Sequence, residues 1–199
     1  RRCCDLLNGV ECTKGEDVTM DLLKLISPTI DYAEDIMQFR AELLEAKDAD
    51  SFAGCGVGDA SLEECTDIEK WLEALSRHEH QETCPKGGVP SNFYLAERVS
   101  DNKIVGGIDL RHHINHPILG TWGGHMGYSV RPSERGKGYA KEMLRLNLLN
   151  CKARGIDKVL VTCSRENPAS EKVILANGGV FEKEIDVDGE YIKRYWITL

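Results

Sequence analysis

The sequence predicts an α/β fold of the α+β kind, with strands and helices sharing one core. Two observations carry this. Apolar spacing is helical over residues 29–78 and becomes strand-like from residue 91, and turn residues separate the segments. A length of 199 residues, 41% hydrophobic and 29% charged, suits one globular domain and shows no internal repeat.

Taken in order, Met20–Ile26 reads as the first strand, and residues 1–19, polar and aperiodic, as a tail outside a single domain of residues 20–199. Ser27 and Pro28 stop that strand and start a helix over Thr29–Lys47, with Ile30, Ala33, Ile36, Met37, Leu43 and Leu44 on its apolar side. A Gly- and Asp-rich loop follows, and Gly54-Cys55-Gly56-Val57-Gly58 within it reads as a flexible connector. Leu62, Cys65, Ile68, Trp71, Leu72 and Leu75 then form an apolar stripe along a helix predicted over Ser61–His78. Asn92–Val99 and Lys103–Arg111 make a hairpin about Asp101-Asn102. His125–Arg131 is the next strand, ended by Pro132. A long helix reaches Arg154, Lys158–Cys163 is a strand and Pro168–Asn177 a short helix. Val180–Val187 and Tyr191–Thr198 close the chain around Asp188-Gly189. The order is β-α-α-β-β-β-α-β-α-β-β.

Composition excludes several classes. The net charge of −8 disfavours a nucleic-acid binder working by phosphate neutralisation, and no apolar run approaches the roughly 18 residues of a membrane span. Eight cysteines contain no C-x-x-C pair, so free thiols and a reducing, cytoplasmic setting are expected. His112, His113, His116 and His125 lack the helical spacing of a zinc site, and no metal is expected. Charge is also segregated. Residues 31–82 hold 15 Asp+Glu against 4 Lys+Arg, a net of −11, and the remainder holds 18 against 21.

The informative stretch is Gly127-Tyr-Ser-Val-Arg-Pro-Ser-Glu-Arg-Gly-Lys-Gly-Tyr-Ala140, which runs from a strand into a helix. The first amides of a helix lack internal partners, the helix dipole favours an anion there, and Gly136 and Gly138 let the backbone turn and approach it. Arg131, Arg135, Lys137 and Lys141 add positive charge. Neither a Walker loop nor the dinucleotide fingerprint G-x-G-x-x-G is present.

This stretch, together with Val159–Cys163 followed by Asn167-Pro-Ala-Ser170, and Asn177-Gly-Gly-Val-Phe181, resembles the GNAT superfamily of N-acetyltransferases. The resemblance is strongest over residues 91–199. It implies a mixed, largely antiparallel central sheet of six to seven strands with helices on both faces, acetyl-CoA as cosubstrate and an amine acceptor, with a homodimer allowed. Amides of Arg135, Gly136, Lys137, Gly138, Tyr139 and Ala140 would hold the pyrophosphate. Tyr128, Ser129 and Val130 would pair with the pantetheine arm, a backbone N–H near Val130 would face the oxyanion, and Asn167 and Ser170 would contact the pantetheine from its other side.

An ammonium acceptor must lose a proton before attack, and His125 occupies the place of the family's frequent carboxylate base. Where a tyrosine acid is often found the chain has Ile174, which leaves Tyr191, Tyr195 and Tyr128 as candidate proton donors, Tyr191 being taken first. Ile174 also keeps open a CoA-binding module without turnover, and another acyl-CoA donor is not excluded. The acidic segment favours a cationic acceptor drawn in by the field.

Overall fold

The computed structural model describes residues 21–47, 52–56 and 58–199. The predicted N-terminal tail and Met20 lie outside these residues. Seven strands form two antiparallel sheets. In the first, β1 (Leu23–Ile26), β2 (Ser91–Arg98), β3 (Lys103–Arg111) and β4 (Tyr128–Val130) lie in that order; in the second, β5 (Lys158–Ser164), β7 (Glu190–Thr198) and β6 (Val180–Val187). Helices α1 (Ala33–Ala46), α2 (Ile68–His78), α3 (Tyr139–Ala153) and α4 (Pro168–Ala176) cover them.

Alternation along β2 divides the core. Phe93 and Leu95 pack with Ile36, Phe39 and Leu43 of α1 and Trp71 and Leu75 of α2. Ala96 joins Val105, Ile108 and Leu110 beneath Met143, Leu144 and Leu148 of α3, where Val159, Val161, Ile174, Tyr195 and Ile197 arrive from the second sheet. The first sheet is thereby covered on both faces.

Three elements depart from the sequence reading. Helix α1 follows a single turn at Ile30–Tyr32; its buried residues are Ile36, Phe39 and Leu43, whereas Ile30 and Leu44 are exposed. Helix α2 begins at Ile68 rather than Ser61. Asp67 accepts hydrogen bonds from the amides of Glu69 and Lys70 and caps it, while Leu62 and Cys65 reach the core from preceding turns. Strand β4 contains only Tyr128–Val130: before it the Gly127 amide donates to the Asp109 carboxylate rather than to the β3 backbone, and the His125 carbonyl accepts from Arg111 in the first sheet while its amide donates to Leu160 in the second.

The Gly54-Cys55 segment is packed into the fold. Cys55 is fully buried, which pushes its thiol up to about 12, and Ser129 Oγ donates to the Ala53 carbonyl at 2.8 Å. Gly54 has φ of +69°, and a Cβ there would lie 1.9 Å from the carbonyl oxygen of Gly127. Two backbones are therefore in contact where a side chain has no room. Gly54→Ala is expected to destabilise the fold by about 2–3 kcal/mol, lowering Tm by roughly 5–10 °C. An unchanged Tm in calorimetry would refute the contact.

Candidate active site

The site is built from a strand that turns its polar edge away from its own sheet. In the β3–β4 ladder Tyr128 lies opposite Ile108 and Val130 opposite Gly106. Asp109 donates to the Gly127 carbonyl at 3.1 Å and Arg131 to that of Val105 at 2.8 Å. Bonding to β3 falls to Gly127, Ser129 and Arg131, so the peptide groups of Tyr128 and Val130 face the other way. The Val130 carbonyl accepts from Arg135 Nε at 3.3 Å, and its amide has no acceptor among the described residues.

Beyond His125 the two sheets separate. The His125 amide donates to the Leu160 carbonyl at 2.8 Å, and the Leu160 amide donates to His125 Nδ1 at 2.9 Å. No ladder joins β4 to β5 among the described residues. Between them, Tyr128 reaches across to α4, its hydroxyl 2.7 Å from Ser170 Oγ. Asn167 caps α4 by accepting from the Ser170 amide at 3.0 Å, which fixes the serine's position.

At the end of β4 the chain makes a single turn (Pro132–Glu134) and enters α3 through Gly136 and Gly138, both at positive φ, +79° and +85°. Gly138 is the N-cap and has no side chain to offer the helix. The amides from Gly136 to Lys141 accordingly find no acceptor within the protein among the described residues. The exposed amides and the strand edge form the two parts of a rim of hydrogen-bonding groups, separated by a turn in which the amides of Arg131, Ser133, Glu134 and Arg135 bond within the protein. It fits a ligand with an anionic head and an amide-bearing arm.

The basic residues of this segment divide by role. Arg131 does not face the rim. It is buried and ties to Glu42 at 2.6 Å, to Asp35 at 2.5 Å and to the Ile104 carbonyl at 3.0 Å. The sequence reading had grouped it with the phosphate-facing cations; the structure assigns it to holding β4 against α1. Lys137 is half exposed, with its ammonium 2.7 Å from Glu134.

His125 is also buried. Burial, reinforced by the nearby Arg111 guanidinium, lowers its pKa to about 4. Because Nδ1 accepts from Leu160, the neutral ring carries its proton on Nε2 and has no second lone pair to offer. Tyr191 is exposed at the closing hairpin, where the Arg165 guanidinium stacks 3.6 Å from its ring centroid. Tyr195 is buried and donates to Glu171 at 2.5 Å. Ile174 belongs to the core, against Gly179. Among the described residues no group of His, Cys, Asp or Glu is placed to hold a metal ion, and no helix is long and apolar enough to cross a membrane.

An acetyltransferase (GNAT) domain model matches residues 23–180. The chain belongs to the GNAT acetyltransferase family. No curated protein sequence matches it. Solved structures show the same fold. One is a Salmonella typhimurium acetyltransferase that modifies the N-terminal serine of a 50S ribosomal subunit protein, at TM-score 0.60 and 18% identity, covering 92% of this chain and 97% of that one. The microcin C7 self-immunity acetyltransferase, solved with acetyl-CoA and AMP, aligns at TM-score 0.61 and 14% identity over 92% and 94% of the two chains. A mutant spermidine N-acetyltransferase from Vibrio cholerae aligns at TM-score 0.57 and 15% identity over 89% and 94%.

The state of His125 gives a sharp test. Its folded pKa near 4 lies below the ordinary 6.5, so its contribution to stability is complete above pH 6.5 and is lost as pH falls towards 4. His125→Asn keeps an acceptor for the Leu160 amide and removes the titration. Between pH 6.5 and 4.5 the variant should lose less Tm than wild type, with His112, also near 4, and the carboxylates held below their ordinary range supplying the remaining slope. Equal slopes in the two proteins would contradict this.

Proposed function

We propose that this GNAT acetyltransferase passes acetyl from acetyl-CoA directly to a primary amine, with an α-amino group preferred. The observation that carries the reading is the pairing, on one strand-to-helix segment, of the outward Val130 edge with the free Gly136–Lys141 amides. The amides suit the pyrophosphate, and the edge of β4 suits the pantetheine arm, which would lie against it as another strand would. The outward Val130 amide is our candidate donor to the oxyanion formed when the amine nitrogen adds to the thioester carbonyl. The carbon–sulfur bond then breaks, and the departing thiolate takes up a proton.

Tyr128 is the best-placed donor for that proton. Its hydroxyl lies between β4 and α4, bonded to Ser170, whereas Tyr191 is stacked outside and Tyr195 is engaged with Glu171. A thiol with pKa near ~8.5 leaves fairly readily unaided, so the assistance is modest. Tyr128→Phe should lower kcat about tenfold, below the usual range of acid catalysis because the thiol leaves readily unaided, and leave the KM for acetyl-CoA within about twofold. An unchanged kcat would remove the assignment.

His125 we assign to joining the sheets rather than to taking the substrate's proton, since its remaining ring nitrogen is a donor. The acceptor then sheds its proton to water. At pH 7.5 roughly a third of an α-amine is neutral, against about one in a thousand of a lysine-like amine. This ratio favours peptide N-termini over polyamines. The decisive assay is CoA thiol release with N-terminal peptides, free amino acids and spermidine across pH 6.5–9.5. For the accepted amine, kcat/KM should rise with pH up to the amine's own pKa. Turnover confined to spermidine would reverse the preference. Thermal stabilisation by acetyl-CoA with no thiol release from any amine would indicate a binding module.

A further inference from the structure

The turn that leads into the free amides carries a buried carboxylate, a charge that simple electrostatics disfavours near an anion site. Glu134 is buried, and three cations from three elements converge on it. Its Oε1 accepts from Lys103 at the start of β3 at 2.7 Å. Its Oε2 accepts from Arg98 at the end of β2 at 2.8 Å and from Lys137 of the turn itself at 2.7 Å. Arg98 is in turn held by both oxygens of Asp101, and it donates to the Tyr139 hydroxyl at the first residue of α3. Burial alone would raise the Glu134 pKa, but the bonds from Lys103, Lys137 and Arg98 outweigh it and hold the group at about 2. The carboxylate is therefore charged under all ordinary conditions.

The geometry points to Glu134 as the positioning residue of the anion cradle: it fixes the β4–α3 turn with its amides outward and stores Lys137 beside them for transfer to the incoming phosphate. The inference rests on the acetyl-CoA reading above. Two features support it. Lys103 and Arg98 remain on Glu134 when Lys137 leaves, so releasing the half-exposed lysine does not strand a buried charge. Glu134 also ties the turn to both strands of the β2–β3 hairpin at its turn end and, through Arg98, to the first residue of α3, so the cradle is shaped before ligand arrives.

The sign of one measurement separates positioning from field. Removing a negative charge below an anion should tighten binding if the bare field governs; losing the anchor should weaken it. Glu134→Gln is expected to raise the KM for acetyl-CoA about tenfold, the scale of one lost charge-assisted hydrogen bond. With acetyl-pantetheine, which has no pyrophosphate, kcat/KM should change less than twofold. Glu134→Asp keeps the charge but shortens the reach, and it should follow Glu134→Gln; it also serves if the glutamine variant fails to fold. A lowered or unchanged KM for acetyl-CoA in the folded variants overturns the role, as does an equal loss with both donors. Wild-type protein that neither binds nor turns over acetyl-CoA overturns the parent reading, and this one with it.

Discussion

The site depends on the two sheets meeting at His125 and separating beyond it. Two hydrogen bonds to Leu160, one through the backbone and one through the ring, join the chain entering β4 to β5. Continuing that pairing would have satisfied the edge of β4 with another strand and left nothing to bind a ligand arm. Instead the peptide groups of Tyr128 and Val130 emerge into a gap flanked by α4. A buried imidazole suits this junction because it accepts a hydrogen bond while staying neutral, where an ionised carboxylate would bury a charge. The family's frequent base position thus carries a residue whose ring is occupied by the architecture.

Buried ions supply the complementary constraint. A charge removed from water destabilises unless its partners are well placed, so each paired buried ion fixes the elements that provide them. Arg131 gathers Asp35 and Glu42 of α1 and the Ile104 carbonyl of β3; one turn later Glu134 gathers cations from the β2–β3 hairpin. The short segment from Val130 to Gly138 is held from opposite sides while the amides from Gly136 onward stay clear. The Glu134 cluster reaches the rim through the side chains of Lys137 and Tyr139 rather than through its amides. Their effect is to remove conformations in which the glycines would fold the amides inward.

Much of this was legible in the sequence, and the failures share a cause. The hairpin at Ser91–Arg111 and the closing hairpin matched to within a residue or so, since alternation and turn chemistry are local. The glycines of the turn could be recognised as an uncapped helix start for the same reason. By contrast, the direction of Arg131 depends on carboxylates 89 and 96 residues away, and no local pattern reports it. Leu62 and Cys65 fell on helical spacing by coincidence while reaching the core from turns. Gly54 reads as part of a flexible connector, whereas it is packed in the fold; its partner Gly127 lies 73 residues away, and no local pattern reports the contact. The strand limit at Tyr128 was hidden too, because the Gly127 amide turns to the Asp109 carboxylate and His125 pairs with two sheets at once.

The charge asymmetry can now be resolved into parts. Within the acidic stretch, Asp35 and Glu42 are counter-charges for Arg131, Asp59 pairs with Arg77 and His78, and Asp67 caps α2. These four carboxylates are occupied by the fold, and a field drawn from the raw net of −11 overstates what a ligand would feel. Glu63, Glu64, Glu69 and Glu73 remain exposed, where solvent and salt screen them. A polycation gains little from such a surface at a distance. An α-amine gains its advantage at the reacting nitrogen itself, because a larger share of it arrives unprotonated. On the proposed reading, the preference among acceptors is therefore set more by the proton the amine has already lost than by the charge of the surface it approaches.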